Sequence, residues 1–250
     1  MAIGNGVTVP AIQLQFFPQM AYNSTTAPSV VSKETYDKMT RAMAKLKIYL
    51  EECTQTSEAA RRSWSTLPDI CVKAWLTYAS TMIMPIVDAG YNKYDLRKRG
   101  DYNFSSLNNY LNDPLIMREL GALRPWRPDS SGVVLHLRPT EFARSCASDV
   151  ELVLNRGLQV LIYAGDQDYL CNWLGNQAWT SALPWAHRAE FNGEQPKLWG
   201  KRDDDGALVM PVGHLKQYEN FAFLRVYNAG HMVPMDKPPE ALYMFAQFVE

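Results

Sequence analysis

Two short apolar runs stand out in the last third of the chain, and each is followed by a turn of polar and small residues. The run VLIY at 160–163 precedes the turn AGDQD at 164–168, and the run FAFLRVY at 221–227 precedes the turn NAGHMVP at 228–234. Runs of this length, apolar on both faces, are typical of strands buried in a parallel sheet. We therefore predict two neighbouring strands whose carboxyl ends carry the polar turns.

A helical pattern fills the region between residues 32 and 90. Ser32 can cap a helix over residues 32–56, and Pro68 divides two further helical segments between residues 57 and 87, because proline cannot continue a helix. Apolar positions of the first helix recur on one face, at Tyr36, Met39, Met43, Leu46 and Leu50. We interpret residues 32–90 as an all-helical insertion that caps the rest of the chain.

At 250 residues, the chain can form one large α/β domain or part of a larger one. Pro238 opens a closing helix, and its predicted apolar face consists of Leu242, Phe245 and Val249. Before the acid, the sequence predicts a helix starting at Asp113-Pro114, a loop over 121–139, a helix from Thr140 to Asn155 and a strand over 159–163. After the acid, it predicts a helix from Cys171 to Leu183, and then a loop and hairpin over 186–227 that turns at Lys201–Asp205.

The composition gives no reason to expect nucleic acid or a membrane as a partner. The chain has 250 residues, 47% of them apolar, and a net charge of −1, so neither nucleic acid nor an anionic membrane is expected as a partner. The most apolar region, 70–87, is interrupted by Lys73 and Pro85 and falls short of the ~18 uninterrupted apolar residues of a membrane span. No signal peptide is visible at the N-terminus. Two glycosylation sequons, at Asn23 and Asn103, would be used if the chain entered the secretory pathway, but such triplets also arise by chance and do not by themselves indicate secretion.

The four cysteines include no C-x-x-C pair, so the sequence predicts no metal site. Cys53 and Cys71 flank the predicted turn after the first helix. A disulfide between them and a pair of free buried thiols are both compatible with the sequence, because the redox compartment is not known.

The polar turns carry the candidate chemistry. An acid at the end of one strand, Asp166 or Asp168, and a histidine just after another, His231, are how an α/β-hydrolase presents the second half of a Ser–Asp–His relay. The acid accepts a hydrogen bond from the imidazole, so the other ring nitrogen can take a proton from a nucleophile. The competing interpretations are a helix-capping role for the aspartates and a structural role for His231.

The nucleophile of such a relay is missing from the sequence. No G-x-S-x-G elbow occurs anywhere in the 250 residues. Cys171 lies near the acid at a predicted helix start, but a thiol that lines a pocket is a better interpretation than a nucleophile. The chain starts at a strand end that enters a Gly-rich turn, Gly4–Gly6, so either this strand lies at a sheet edge or the chain begins upstream of Met1.

These motifs resemble the serine carboxypeptidase family, in particular its carboxypeptidase Y and cathepsin A branch. The acid motif is YAGDQDYLCNWLGN at 163–176, and the histidine motif runs from Leu224 to Pro234 through GHMVP at 230–234. Shorter blocks at 3–6 (IGNG) and 92–98 (NKYDLRK) also match. The resemblance implies the C-terminal part of an α/β-hydrolase domain, formed by residues 1–31 and 91–250, with the helical cap at 32–90.

The resemblance also implies roles for individual residues. Asp168 would be the acid and His231 the base of the relay. Leu170 and Cys171, and more weakly Val7 and Phe17, would line the pocket for the residue before the scissile bond, and Met232 would sit beside the departing residue. The substrate would be the C-terminus of a peptide or protein, with no cofactor. Family members commonly have Asp where this chain has Val9, and they carry more cysteines, so the resemblance leaves the disulfide pattern open.

The resemblance further implies a vacuolar, lysosomal or secreted location and, as a partner, the N-terminal half of the domain. We expect the isolated chain to supply about three strands, to leave a sheet edge unpaired, and to be inactive and prone to aggregation. Two other functions remain open: a non-catalytic binding protein that retains this half of the fold, and an acyltransferase of the carboxypeptidase-like type.

Overall fold

The fold is described from a computed structural model that covers residues 1–63, 69–128, 130, 132–133, 141–203 and 205–249, with the backbone alone for 57–63. The predicted break at Pro68, the predicted cap at Thr140 and the last part of the predicted loop at 134–139 lie outside the described residues.

Among the residues that the structure describes, five strands form one mixed sheet, and two more form a small antiparallel ribbon. The order in the sheet is β1-β4-β7-β6-β5, in which β1, β4 and β7 are parallel and β6 and β5 are antiparallel additions. The strands are β1 Ala2–Gly4, β2 Tyr91–Asn92, β3 Asp95–Arg99, β4 Val160–Gly165, β5 Lys197–Trp199, β6 Gly213–Tyr218 and β7 Phe221–Val226. Both predicted strands are confirmed as direct neighbours. The sheet is wider than the predicted three strands because residues 197–218 add β5 and β6.

The alternation of side chains along β4 and β7 explains how the sheet divides two apolar layers. Val160 and Ile162 share one face with Phe221 and Phe223, which pair with them directly, while Leu161 points to the opposite face. The first face packs against most of the helices, and the second packs against the C-terminal helix.

Twelve α-helices complete the part of the chain that the structure describes. They are α1 Pro10–Gln13, α2 Phe17–Tyr22, α3 Lys33–Ser63, α4 Asp69–Tyr78, α5 Met84–Asp88, α6 Ser105–Leu111, α7 Pro114–Glu119, α8 Ala147–Asn155, α9 Trp173–Ala182, α10 Arg188–Gly193, α11 Val233–Asp236 and α12 Pro238–Val249. Asp113 caps α7 as predicted, accepting hydrogen bonds from the amides of Leu115 and Ile116. The helix α10 was not predicted.

The first long helix confirms its predicted apolar face. Met39, Met43, Leu46 and Leu50 are buried and Tyr36 is half-buried, stacked on Tyr22. A disulfide joins Cys53 of α3 to Cys71 of α4, so the structure supports the first of the two alternatives for these cysteines.

The segment Asp69–Asp88 is one continuous helical rod despite Pro85. Residues Ala79–Ile83 form a π-turn between α4 and α5, and such a turn accommodates a proline, which lacks an amide donor. The helix Asp69–Asp88 has 20 residues, and an 18-residue window of it has a mean hydropathy of 1.4, so by length and composition alone it is long and apolar enough to cross a membrane. In this fold its face of Cys71, Ala74, Tyr78, Met82 and Ile86 is buried in the protein core.

The helices of residues 33–88 share one core with the sheet. Met39 and Met82 belong to the same buried cluster as Ile162 and Phe223, and the Tyr169 hydroxyl donates to the Met82 carbonyl oxygen at 2.6 Å. The division into a cap and a main domain therefore stays a prediction.

Two predicted elements are wrong in detail. The helix predicted from Thr140 to Asn155 is not continuous: residues 142–146 are not helical, the Cys146 amide donates to the carbonyl oxygen of Thr8, and α8 begins at Ala147. The closing helix α12 turns its predicted apolar face outward. Leu242, Phe245 and Val249 are exposed, whereas Ala241 and Met244 are buried against the sheet.

Candidate active site

The acid and the histidine meet at one edge of the sheet. Because β4 and β7 are parallel neighbours, the loops that follow them leave the sheet on the same side. Asp168 lies in the first loop and His231 in the second, and the imidazole Nδ1 is 2.9 Å from the carboxylate Oδ2. The two residues are 63 positions apart in sequence. Topology alone therefore brings them together.

Asp168 is wholly buried and oriented by several partners. Its Oδ1 accepts a hydrogen bond from the amide of Cys171 at 3.2 Å, while Oδ2 faces His231. Burial raises the pKa of this carboxyl above its usual range, although the hydrogen bond to His231 opposes the shift. A carboxylate can only accept, so in the neutral imidazole the proton belongs on Nδ1 and the lone pair on Nε2.

The competing acid, Asp166, has a different part in the structure. Its Oδ1 accepts from the amide of Asn228 at 2.8 Å and from the side chain of Gln167 at 2.9 Å. Asp166 thus ties the acid loop to the histidine loop. Neither aspartate caps the helix α9, because the Asn172 side chain accepts from the Gly175 amide in that position.

Two glycines allow the loops to pack backbone to backbone. A Cβ at Gly165 would lie 2.3 Å from the carbonyl oxygens of Ala229 and Gly230, and a Cβ at Gly230 would lie 2.6 Å from the carbonyl oxygen of Tyr94. A larger residue at Gly165 would push the histidine loop away from the acid loop, and one at Gly230 would push it away from Tyr94 and Asp95.

The imidazole is partly open to solvent. The His231 side chain is 20% exposed, its amide donates to the Tyr94 carbonyl oxygen at 2.7 Å, and its ring lies 5.2 Å from the Tyr94 ring. An imidazole held by a buried carboxylate on one nitrogen, with part of its surface accessible, can accept a proton from a group that approaches from solvent.

Cys171 completes a compact group of possible ligands. Its Sγ and the ligand atoms of Asp168 and His231 all lie within 4.8 Å of one another. Burial and the Asp168 charge raise the pKa of the thiol well above its usual range, so Cys171 is a protonated thiol at neutral pH. A metal ion here would have to displace that proton and the Asp168–His231 hydrogen bond, which makes these residues a poorly prepared metal site.

Comparison with known proteins assigns the chain to a family. The family model for serine carboxypeptidases matches residues 1–250. The chain belongs to the serine carboxypeptidase family. It is 32% identical over 257 residues to carboxypeptidase Y of Schizosaccharomyces pombe, covering 99% of this chain and 24% of that protein. It is 31% identical over 258 residues to the vacuolar serine-type carboxypeptidase of Saccharomyces cerevisiae, covering 99% of this chain and 48% of that protein.

A solved structure agrees on the fold. The crystal structure of a prohormone-processing carboxypeptidase from Saccharomyces cerevisiae, Kex1(delta)p, superposes with a TM-score of 0.70 at 19% identity, over 99% of this chain and 53% of that one. The α/β-hydrolase fold and the resemblance to serine carboxypeptidases are thereby confirmed. The chain spans less than half the length of the two sequence relatives.

The other residues assigned from the family motifs lie at different depths. Leu170 is half-buried, and Met232, which follows His231, is 36% exposed. Val7 is exposed in the loop after β1, at the same sheet edge, because β1 is parallel to β4. Phe17 is not at this surface: it is 1% exposed and packs against the rings of Tyr78 and Tyr169. A ring enclosed in this way supports the site only through core packing.

Sequence reasoning missed the contribution of the β2–β3 ribbon. Asp95 is wholly buried; burial would raise the pKa of its carboxyl, but hydrogen bonds from Arg97 and the charge of Lys98 lower it below its usual range. Tyr102 follows the ribbon, and burial and nearby carboxylates raise the pKa of its hydroxyl. The block NKYDLRK carried the signal, since it matches the family, but nothing in it showed that it would lie beside His231.

Proposed function

We propose that Asp168 and His231 are the acid and base of a serine carboxypeptidase, whose serine is supplied from outside these 250 residues. The observation that carries the proposal is the 2.9 Å contact between a wholly buried carboxylate and a partly exposed imidazole. This contact supports the proposal, because such a relay needs an acid that fixes the imidazole tautomer and leaves Nε2 to handle the proton.

The reaction follows from that tautomer. Nε2 of His231 takes the serine hydroxyl proton as the oxygen attacks the peptide carbonyl, and Asp168 stabilises the imidazolium. The imidazolium then gives its proton to the departing amine, the C–N bond breaks, and an acyl-serine ester forms. Water, deprotonated by the same nitrogen, attacks the ester carbonyl. The bond to the serine oxygen breaks, the imidazolium returns its proton to that oxygen, and the shortened peptide leaves. The substrate class, peptide or protein C-termini, follows from the family.

For the substrate pocket, we propose the roles that the family motifs assign. Leu170, Cys171 and Val7 would line the subsite before the scissile bond, and Met232 would contact the departing residue. The protonated state of Cys171 supports a packing role there, since a neutral thiol is a poor nucleophile.

The partner we propose is a nucleophile-bearing segment that adds to the open edge of β1. Among the described strands, β1 pairs with β4 on one side only. A vacuolar or secretory location agrees with the name of the vacuolar relative and with the Cys53–Cys71 disulfide, since disulfides persist in oxidising compartments.

The test measures hydrolysis of an N-blocked dipeptide by the 250-residue chain and by the chain extended upstream with a nucleophile-bearing segment. We expect turnover only from the extended chain, and His231→Ala should lower kcat by at least about a thousandfold. His187→Ala changes an exposed histidine and should leave the rate unchanged. Turnover by the short chain that depends on His231 would show that the serine is not supplied from outside.

The absence of a G-x-S-x-G elbow from the sequence favours a second function, that of a non-catalytic binding protein. In that case the extended chain would still bind peptides but would show no turnover, and His231→Ala would leave peptide binding unchanged.

A further inference from the structure

The histidine loop, residues 228–231, is fastened to the β2–β3 ribbon through its backbone. The amide of His231 donates to the carbonyl oxygen of Tyr94 at 2.7 Å, and the Arg97 guanidinium donates to the carbonyl oxygen of Asn228 at 3.1 Å. Gly230 lies so close to Asp95 that an added Cβ would be 2.8 Å from the Asp95 Cβ. The ribbon therefore fixes the loop on both sides of Gly230.

Asp236 fastens the same loop from the other direction. Its Oδ2 accepts a hydrogen bond from the Gly230 amide at 2.7 Å, and its Oδ1 accepts one from the Lys98 ammonium at 3.1 Å. The Asp236 side chain is only 8% exposed. Because both carboxylate oxygens are occupied, Asp236 has little freedom to move without releasing Gly230.

Lys98 connects the two buried carboxylates. Its ammonium lies 3.4 Å from Oδ2 of Asp95 as well as 3.1 Å from Oδ1 of Asp236. Asp95 is held independently by Arg97, whose Nη2 and Nε lie 2.7 Å and 2.9 Å from its two oxygens. The chain of contacts runs from the ribbon through Lys98 to Asp236 and ends on the residue before His231.

We propose that Asp236, held in place by Lys98, is a positioning residue for His231. The inference rests on the proposed function, because a relay tolerates little displacement: misplacing a reacting group by about 1 Å costs on the order of a hundredfold in rate. Neither Asp236 nor Lys98 contacts the imidazole. They act on it through the backbone of Gly230, so their loss should move His231 relative to Asp168 without removing any member of the relay.

The first test measures amide hydrogen exchange in the 250-residue chain, which needs no activity. In Asp236→Asn and Lys98→Met we expect the amides of Gly230 and His231 to exchange about tenfold faster, because a charge-assisted hydrogen bond that closes the loop is lost. Lys98→Arg keeps the cation and should restore protection. Asp37→Asn, which breaks the exposed Lys33–Asp37 pair on α3, is the matched control and should change nothing at the loop.

The second test uses the chain extended with the nucleophile-bearing segment. Lys98→Met should lower kcat at least about tenfold with KM little changed, and Lys98→Arg should recover most of the rate. Unchanged exchange at Gly230 and His231 in both Asp236→Asn and Lys98→Met would overturn the positioning role. If the extended wild-type chain shows no turnover, the proposed function fails, and the exchange measurement still decides whether Asp236 positions the loop.

Discussion

The carboxyl edge of the sheet and the outer face of the C-terminal helix α12 differ in how completely their side chains are paired or covered by the rest of the chain. At the edge, Asp166 and Asp168 have their carboxylates paired by the neighbouring loop. On α12, Leu242, Phe245 and Val249 are 69%, 59% and 61% exposed. A helix that is apolar on two sides normally has both sides covered. The acid and the base at the sheet edge are thus held by groups of this chain, whereas the outer face of α12 exposes apolar side chains to solvent.

The largest expected effect is a loss of stability at the carboxyl edge of the sheet. Gly165→Ala places a Cβ 2.3 Å from two carbonyl oxygens of the histidine loop, so it should lower the free energy of unfolding by about 3 kcal/mol. Gly193→Ala is the control, because a Cβ there meets nothing within 4 Å, and should change stability by less than about 0.5 kcal/mol. Urea titration measures both. Equal effects of the two substitutions would show that the loops do not pack this closely.

The next prediction compares the two sides of α12. Met244→Ala removes a side chain that is 8% exposed and should cost about 2 kcal/mol, whereas Phe245→Ala should cost less than about 0.5 kcal/mol and reduce self-association. Thermal unfolding and light scattering give the two readouts. A large loss of stability in Phe245→Ala would mean that the outer face is covered in solution.

The sequence was informative about the acid and the histidine, and less so about the packing of α12. The apolar runs before the G-D-x-D and G-H-M-V-P motifs identified two strand ends, which led to His231 and to the two candidate acids Asp166 and Asp168. The resemblance to the family then selected Asp168. The face of α12 was assigned wrongly because apolar residues surround the helix, so spacing could not show which side meets the sheet. Asp236 was missed because its partner Lys98 is 138 residues away, and only tertiary packing brings them together.

A smaller effect concerns Asp95 in the ribbon. The pKa of its carboxyl is lowered in the folded protein, so its contribution is present above the ordinary value of 3.8 and is lost as the pH falls below it. Asp95→Asn should therefore cost about 1.5 kcal/mol at pH 7, and this difference from wild type should shrink in acid. Urea titrations at several pH values test this. A difference that stays constant down to pH 3 would contradict the lowered pKa.

The smallest effect compares two free thiols. Cys171 is buried with a raised pKa, whereas Cys146 is half-buried. Since the thiolate is the reactive form, Cys171 should be alkylated at least about tenfold more slowly at pH 8. Mass spectrometry of peptides after timed iodoacetamide treatment separates the two, and Cys146→Ser confirms the assignment. Faster reaction at Cys171 would indicate a thiolate beside His231 and would favour a nucleophilic role for this cysteine.

The most direct test of the central claim is nitrogen-15 NMR of the His231 imidazole in the 250-residue chain at a pH where the ring is neutral. If Asp168 accepts a hydrogen bond from this ring, the proton should reside on Nδ1, and Asp168→Asn should move it to Nε2. His231→Gln identifies the signals. A wild-type ring that carries its proton on Nε2 would contradict the pairing on which the proposed function depends.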